Sequence, residues 1–376
     1  MDYRWDLPRV ALRLRHFSGI PGICVPGARP EDDSLTILDR YWIAGRQISM
    51  ELVRWGLLST ARINRRLIPA IHASTRGRLV AVASRETAKA RHYAAEWEIP
   101  LAFGSYEALL DSDQVDAIYV SLPNHLHTEW SIRALRAGKH VLCEKPLALS
   151  ALEVDLMISA SQETGRVLAE ALMYRHHPQT KLAGDWIHSG RLGEVQLIQA
   201  VFNFQIGEPH RIRLLKEYGG GCLWDVGIYP VSFAQFALGD VPQSVYGYQR
   251  TGKSGVDEIF SGLLLYRQER TAQVTSSFRS PFYTFAQVIG SLGRLVLNQP
   301  FVGMNSGQRL LFFPESGEPK EIPVPEFDLY QGEIEDMQAA ILDGVPCYLS
   351  LEESRRNVVT IQALYESAKQ GLPVQL

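Results

Sequence analysis

The chain has 376 residues, enough for about two domains and for a core that buries roughly three quarters of the unfolded surface. With 46% hydrophobic and 21% charged residues it has globular composition, which excludes a disordered or fibrous chain. The 38 Lys and Arg against 41 Asp and Glu leave a net charge of −3 without a long block of one sign, so composition points to neither a nucleic acid nor a membrane surface as partner.

Residues 1–49 hold Pro8, Pro21, Pro26 and Pro30, an acidic turn at Glu31, Asp32 and Asp33, and no sustained period of 2 or 3.6. They read as an extension, poorly ordered or loosely docked. Met50 opens an apolar run and is an alternative translation start.

From Leu52 the chain alternates strand and helix. Strands are expected over 52–58, 78–84, 115–123, 140–144 and 166–172, and helices over 63–72, 86–97, 126–138 and 151–164. Gly138 is a natural residue just past a helix end, and Ser150 with Glu153 forms a capping box. Such alternation with apolar, β-branched strands predicts a parallel sheet with right-handed crossovers, a doubly wound Rossmann domain over 50–173.

After about Tyr174 the pattern changes. Strands are expected at 194–204, 244–250, 258–266, 271–278, 285–291 and 293–297, several of them alternating in period 2. They predict an α+β domain over 174–376 on an open, mostly antiparallel sheet, for substrate binding and for pairing with a second copy as a homodimer. A closing helix begins at the Ser350/Glu353 box, carries Val358, Ile361, Leu364, Tyr365 and Ala368 on one stripe, and stops at Gly371. The segments of 330–376 are able to pack back on the first domain.

Four cysteines (Cys24, Cys143, Cys222, Cys347) stand far apart, which excludes a disulfide scaffold and fits a reducing compartment. No run reaches the ~18 apolar residues of a membrane span. Arg9, Arg13, Arg15 and His16 interrupt what would be the apolar part of an export signal, so a soluble, cytoplasmic protein is expected.

Where the first strand runs into a helix, a dinucleotide fold normally has G-x-G-x-x-G/A, because small residues let the backbone approach the pyrophosphate. Here Ser59, Ala61 and Asn64 hold those slots, within Ser59-Thr60-Ala61-Arg62-Ile63-Asn64. A plain strand–turn–helix satisfies the same residues. The second strand ends at Ser84-Arg85, where an acidic residue would bind the ribose 2′-hydroxyl of NAD. A hydroxyl followed by a permanently charged donor fork suits a 2′-phosphate, and favours NADP over NAD.

Three further segments stand out: Leu122-Pro123-Asn124-His125-Leu126-His127 at one strand end, Cys143-Glu144-Lys145-Pro146 at the next, and Gly219-Gly220-Gly221-Cys222-Leu223-Trp224-Asp225-Val226-Gly227-Ile228-Tyr229 downstream. Ligands collect at the carboxyl ends of strands in an open α/β sheet, and Asn124 and Lys145 fall there. Asp225 and Tyr229, four apart, share a helix face. With RWGLLSTARI (54–63) and EALMYRHHPQ (170–179), these segments resemble the Gfo/Idh/MocA oxidoreductase family over residues 50–376, nearest its dihydrodiol and D-xylose dehydrogenase branch.

The resemblance implies an NADP-dependent dehydrogenase that moves a hydride between a carbinol carbon of an aldose, polyol or dihydrodiol and the nicotinamide. It implies Lys145, Tyr229 and Asp225 as the catalytic group. Tyr229, its pKa lowered by Lys145, or Lys145 itself would take the hydroxyl proton, with Asp225 orienting substrate or lysine. Leu122, Pro123, Asn124, His127 and Glu144 would join Ser59–Ile63, Ser84, Arg85 and Lys145 around the cofactor. Tyr174, Arg175 and His177 would meet the substrate, and the loop 205–218 would set specificity. The rivals are a cofactor-sensing regulator on the same fold and a redox-neutral enzyme retaining NAD. The pairs His125/His127 and His176/His177 lack metal-site spacing and thiolate support, so no metal is expected.

Overall fold

Six apolar runs pair edge to edge in the N-terminal half of the computed structural model, which describes residues 52–207, 212–302 and 307–376. The expected extension 1–49 and the Met50 start lie outside the described residues. The strands are β1 (Val53–Leu57), β2 (Gly77–Ala83), β3 (Leu101–Phe103), β4 (Ala117–Val120), β5 (His140–Glu144) and β6 (Leu168–Ala171), in the order β3-β2-β1-β4-β5-β6. Every neighbouring pair is parallel. All four residues of β4 and of β6 are buried, as strands covered on both faces require.

The crossovers carry α1 (Asn64–Ala73), α2 (Thr87–Glu96), α3 (Tyr106–Leu110), α4 (His127–Arg136) and α5 (Ala151–Thr164). Ser150 Oγ accepts from the Glu153 N–H at the start of α5, and Gly165 ends it in the left-handed region. The short β3 and α3 are additions to the expected pattern; at three and five residues neither spans enough positions to show a period. The strand order reverses beside β1, so the crevice between β1 and β4 is the switch point where a ligand is expected.

The second sheet comprises β7 (Val195–Asn203), β8 (Ser244–Thr251), β9 (Asp257–Leu265), β10 (Thr271–Ser277), β11 (Tyr283–Gly290), β12 (Gly293–Asn298), β13 (Leu310–Pro314), β14 (Lys320–Ile322) and β15 (Val374–Gln375). Its order is β14-β13-β12-β11-β7-β10-β9-β8-β15, antiparallel except where β7 and β10 pair in parallel at the centre. Along β8, Val245 is buried while Tyr246 and Tyr248 face outward, 40% and 63% exposed. The inner face is covered by α7 (Ile228–Leu238) and α9 (Leu351–Gln370). Nine of the eleven residues of α7 are buried, because the helix lies between the sheet and α9. Two further helices are α6 (Pro178–His188) and α8 (Gln331–Leu342), and α8 rests against α1 and β1. Among the described residues no helix is long and apolar enough to cross a membrane.

Candidate active site

The carboxyl ends of β1, β2, β4 and β5 open onto a cleft of about 610 Å³, closed on its far side by β7, the segment 212–220 and the start of α7. The loop after β1 forms without glycine because its own side chains supply the partners. Ser59 Oγ accepts from the Ala61 N–H at 3.0 Å and lies 2.8 Å from Ser121 Oγ at the end of β4. Asn64, in the third slot, donates from Nδ2 to the Ser59 carbonyl at 2.8 Å. Ser59, Thr60, Ala61, Arg62 and Ile63 all line the cleft, as do Ser84 and Arg85 at the end of β2. Lys89 on α2 joins Arg62 and Arg85 there, so one end of the cleft carries three cations.

Leu122, Pro123 and Asn124 follow β4 along the cleft floor. Asn124 Nδ2 donates to the Gly219 carbonyl at 2.9 Å, and His125 stacks on Tyr218 with ring centroids 4.7 Å apart. These contacts fasten the segment 212–220 to the parallel-sheet side. His127 is fully buried, its Nδ1 2.8 Å from the Pro146 carbonyl oxygen and its Nε2 2.9 Å from that of Leu122. It thereby ties the turn after β5 to the end of β4, and burial pushes its pKa down. Glu144 accepts from the Tyr119 hydroxyl, and burial raises its pKa against the pull of Lys145.

Lys145, after β5, reaches across the cleft to the π-helical turn Leu223–Gly227 that precedes α7. Its Nζ donates to the Asp225 carbonyl at 2.6 Å and to Asp225 Oδ1 at 3.0 Å, with both side chains mostly buried. On the other carboxylate oxygen, Arg213 Nε stands 2.7 Å from Oδ2. Burial would raise the Asp225 pKa, but Lys145 and Arg213 outweigh it and hold the carboxyl below its ordinary value.

Tyr229 lies one helical turn beyond Asp225 and departs from expectation. Lys145 Nζ stands over the ring, 5.3 Å from its centroid, while the hydroxyl donates to Met173 Sδ at 3.4 Å. Burial, together with Tyr330, Glu144 and Asp225, pushes the phenol pKa well above 10. The expected lowering by Lys145 is absent, because burial of the phenol dominates and the neighbouring carboxylates add to it. Tyr229 is a neutral donor.

The structure brings Lys145, Asp225 and Tyr229 together with all the expected cofactor-side residues, but it does not bring Tyr174, Arg175 or His177 to the cleft. Tyr174 is fully buried, donating from its hydroxyl to Ser232 Oγ at 3.0 Å. Arg175 is 3% exposed, paired with Glu353 at 2.9 Å and stacked over Phe236. His177 is 2% exposed and caps α6, its Nδ1 accepting from the Gln179 N–H at 3.1 Å. The turn after β6 is tucked under α7 and α9, so Tyr174 and Arg175 take their partners from those helices rather than from the cleft. The cleft is lined on that side instead by Phe202 of β7, Phe204 just beyond it, Met173, Arg213 and Val302. Arg213 lies inside the 205–218 loop but carried no motif of its own. Among the described residues no group of three or more His, Cys, Asp or Glu gathers as a metal site.

Comparison with known proteins adds to this geometry. Residues 53–172 match the profile of the Gfo/Idh/MocA oxidoreductase family, NAD-binding Rossmann fold, and residues 180–296 match the Gfo/Idh/MocA C-terminal domain. A D-xylose 1-dehydrogenase (NADP(+)) of Haloferax volcanii is 39% identical over 325 residues, 86% of this chain and 99% of that protein. An aldose-aldose oxidoreductase from Caulobacter crescentus, complexed with glycerol, superposes with a TM-score of 0.81 at 27% identity, covering 87% of this chain and all of that one. A 3-ketoreductase from Actinomadura kijaniata in complex with NADP and TDP-benzene superposes at 0.80 with 32% identity, covering 84% and 98%.

Proposed function

Because the chain belongs to the Gfo/Idh/MocA oxidoreductase family, whose relatives here act on sugars or sugar-like molecules, we propose that it is an NADP-dependent dehydrogenase or ketoreductase acting on a carbinol carbon of an aldose or polyol. The observation that carries this reading is the Lys145–Asp225 pair across the cleft, at the carboxyl end of β5. The cofactor's place is supported by the donor set itself: the N–H groups that open α1 suit a pyrophosphate, and Arg62, Arg85 and Lys89 suit a 2′-phosphate. The NADP named for the xylose dehydrogenase and present with the ketoreductase agrees with that set.

NADP, when bound, supplies or accepts the hydride. Lys145 exchanges the proton with the reacting oxygen: its ammonium gives the proton in reduction and its amine takes it in oxidation. Asp225 aims Lys145 through two hydrogen bonds, one to its carbonyl and one to its carboxylate. Tyr229 donates a hydrogen bond from a neutral phenol. Phe202, Phe204, Met173 and Val302 give the substrate side an apolar wall that excludes water and strengthens these contacts. The outward face of the second sheet, with Tyr246, Tyr248, Tyr283 and Phe285, is the surface on which two copies pair. The test is a panel of pentoses, hexoses, inositols and trans-dihydrodiols with NADP⁺, followed by NADPH absorbance. At least one is turned over with NADP⁺ preferred to NAD⁺ if the reading is right, and none in either direction if it is wrong.

A further inference from the structure

Asp225 is held from both sides, and the second holder comes from a segment that no motif marks. Lys145 Nζ is 3.0 Å from Oδ1 and Arg213 Nε is 2.7 Å from Oδ2. The glycine run explains how Arg213 reaches that position. The Gly221 N–H donates to the Arg213 carbonyl at 3.0 Å, and the Gly220 N–H to the Leu215 carbonyl at 3.0 Å. A Cβ on Gly220 would stand 2.5 Å from the Arg213 oxygen and 2.8 Å from the Leu215 oxygen. Those are backbone atoms that cannot turn aside as a side chain can. Glycine at 220 is therefore what lets the segment 212–215 fold against the turn that carries Asp225.

The chemistry gives this second cation a task. In reduction, the N–H bond of the Lys145 ammonium breaks, its proton goes to the carbonyl oxygen, the hydride forms the new C–H bond, and NADPH becomes NADP⁺. Lys145 is then a neutral amine, and the buried Asp225 carboxylate has lost the charge of one partner. An unpaired buried carboxylate is strongly destabilising. A guanidinium keeps its charge at every accessible pH, so Arg213 leaves Asp225 paired through the whole cycle.

We propose that Arg213 is a positioning residue for proton transfer, keeping the Asp225 carboxylate in place while Lys145 loses and regains its proton, and that Gly220 is the seat that puts Arg213 there. This rests on the reading of Lys145 as the proton-exchanging group. Among the described residues the remaining titratable groups around Asp225 are Glu144, Cys222 and Tyr229, and none of them can supply a positive charge.

The experiment compares the full chain with its Arg213→Met, Arg213→Lys and Gly220→Ala variants, by kinetics on whichever panel substrate the wild type turns over and by crystal structure. Arg213→Met and Gly220→Ala should each lower kcat by about tenfold to a hundredfold, as a displaced reacting group does. The substrate KM and the NADPH Kd should stay within about threefold, and Arg213→Lys should recover part of kcat. In Arg213→Met and Gly220→Ala the charged Lys145 should still hold Asp225 Oδ1 in the crystals, and the pH profile of kcat should move to higher pH, because the lysine alone then balances the carboxylate. An unchanged kcat for Arg213→Met overturns the proposal, and so does a loss that falls wholly in the substrate KM, since that marks Arg213 as a ligand contact. If Gly220→Ala does not fold, Arg213→Met decides alone. If the wild type turns over nothing, the reading of the cleft has failed. The melting temperature of Arg213→Met against pH still judges the positioning: its deficit relative to wild type should widen as Lys145 loses its proton at high pH, and a deficit independent of pH overturns the proposal.

Discussion

His127 bridges two strand ends, its Nδ1 2.8 Å from the carbonyl oxygen of Pro146 and its Nε2 2.9 Å from that of Leu122. This clamp fixes the turn that presents Lys145, and Lys145 in turn reaches the helix turn that carries Asp225 and Tyr229. The chemistry of the cleft thus depends on three elements distant in the chain, which makes its parts separable by mutation.

Tyr229→Phe tests whether the phenol is the proton acceptor or a neutral donor. Removing one hydrogen bond from a neutral group is worth about 0.5–1.5 kcal/mol, so kcat/KM should fall by roughly threefold to tenfold. A loss matching that of Lys145→Ala would return the acid–base role to Tyr229.

Arg85→Ala should weaken NADP binding by about 1.5–3 kcal/mol and leave NAD nearly unchanged, as expected for a charged hydrogen bond to a 2′-phosphate. Arg62 and Lys89 line the same end of the cleft, so affinity for NADP should fall further in a double variant with Lys89→Ala. Isothermal titration with both cofactors decides it, and equal losses for the two would refute the assignment.

Glu333 gives a pH signature. It is 2% exposed, and neither carboxylate oxygen has a hydrogen-bond partner among the described residues. Burial first, and then Glu144 and Asp328, raise its pKa well above the ordinary value. For a raised carboxyl, stability is fully present below the unfolded pKa of about 4.3 and is lost as pH rises toward the folded value. Glu333→Gln removes that titration. Its melting temperature should pull ahead of the wild type progressively as pH rises above about 4.3. A difference that stays constant with pH would show that Glu333 is not held neutral.

Tyr248→Glu puts a charge on the outward face of the second sheet, where Tyr248 is 63% exposed. Sedimentation of the wild type at micromolar concentration should give twice the chain mass, and the variant should sediment as single chains. A wild type already monomeric would remove the proposed pairing.

Much of this arrangement was legible because its signals are local. The ends of β4 and β5 announce themselves by apolar runs that stop at Asn124 and Lys145, and Asp225 and Tyr229 share a face by their spacing of four. Short strands such as β14 and β15 lacked the length to show a period. Tyr174 and Arg175 looked like cleft residues because they follow the last parallel strand, at the passage to the second domain. Their partners, Ser232 and Glu353, stand 58 and 178 positions further on, and no local pattern points to them. Arg213 escaped notice for a similar reason. Its position depends on the close approach of Gly220 to backbone oxygens, a contact that only the folded chain displays.

The most direct test of the account is to measure NADPH formation by wild type and Lys145→Ala side by side on the best substrate of the panel, together with the NADP Kd of each. The account predicts that kcat falls by roughly 10²–10⁴, the usual worth of a positioned acid–base group, while the Kd stays within about threefold. A Lys145→Ala variant that keeps kcat within about threefold of wild type would contradict it.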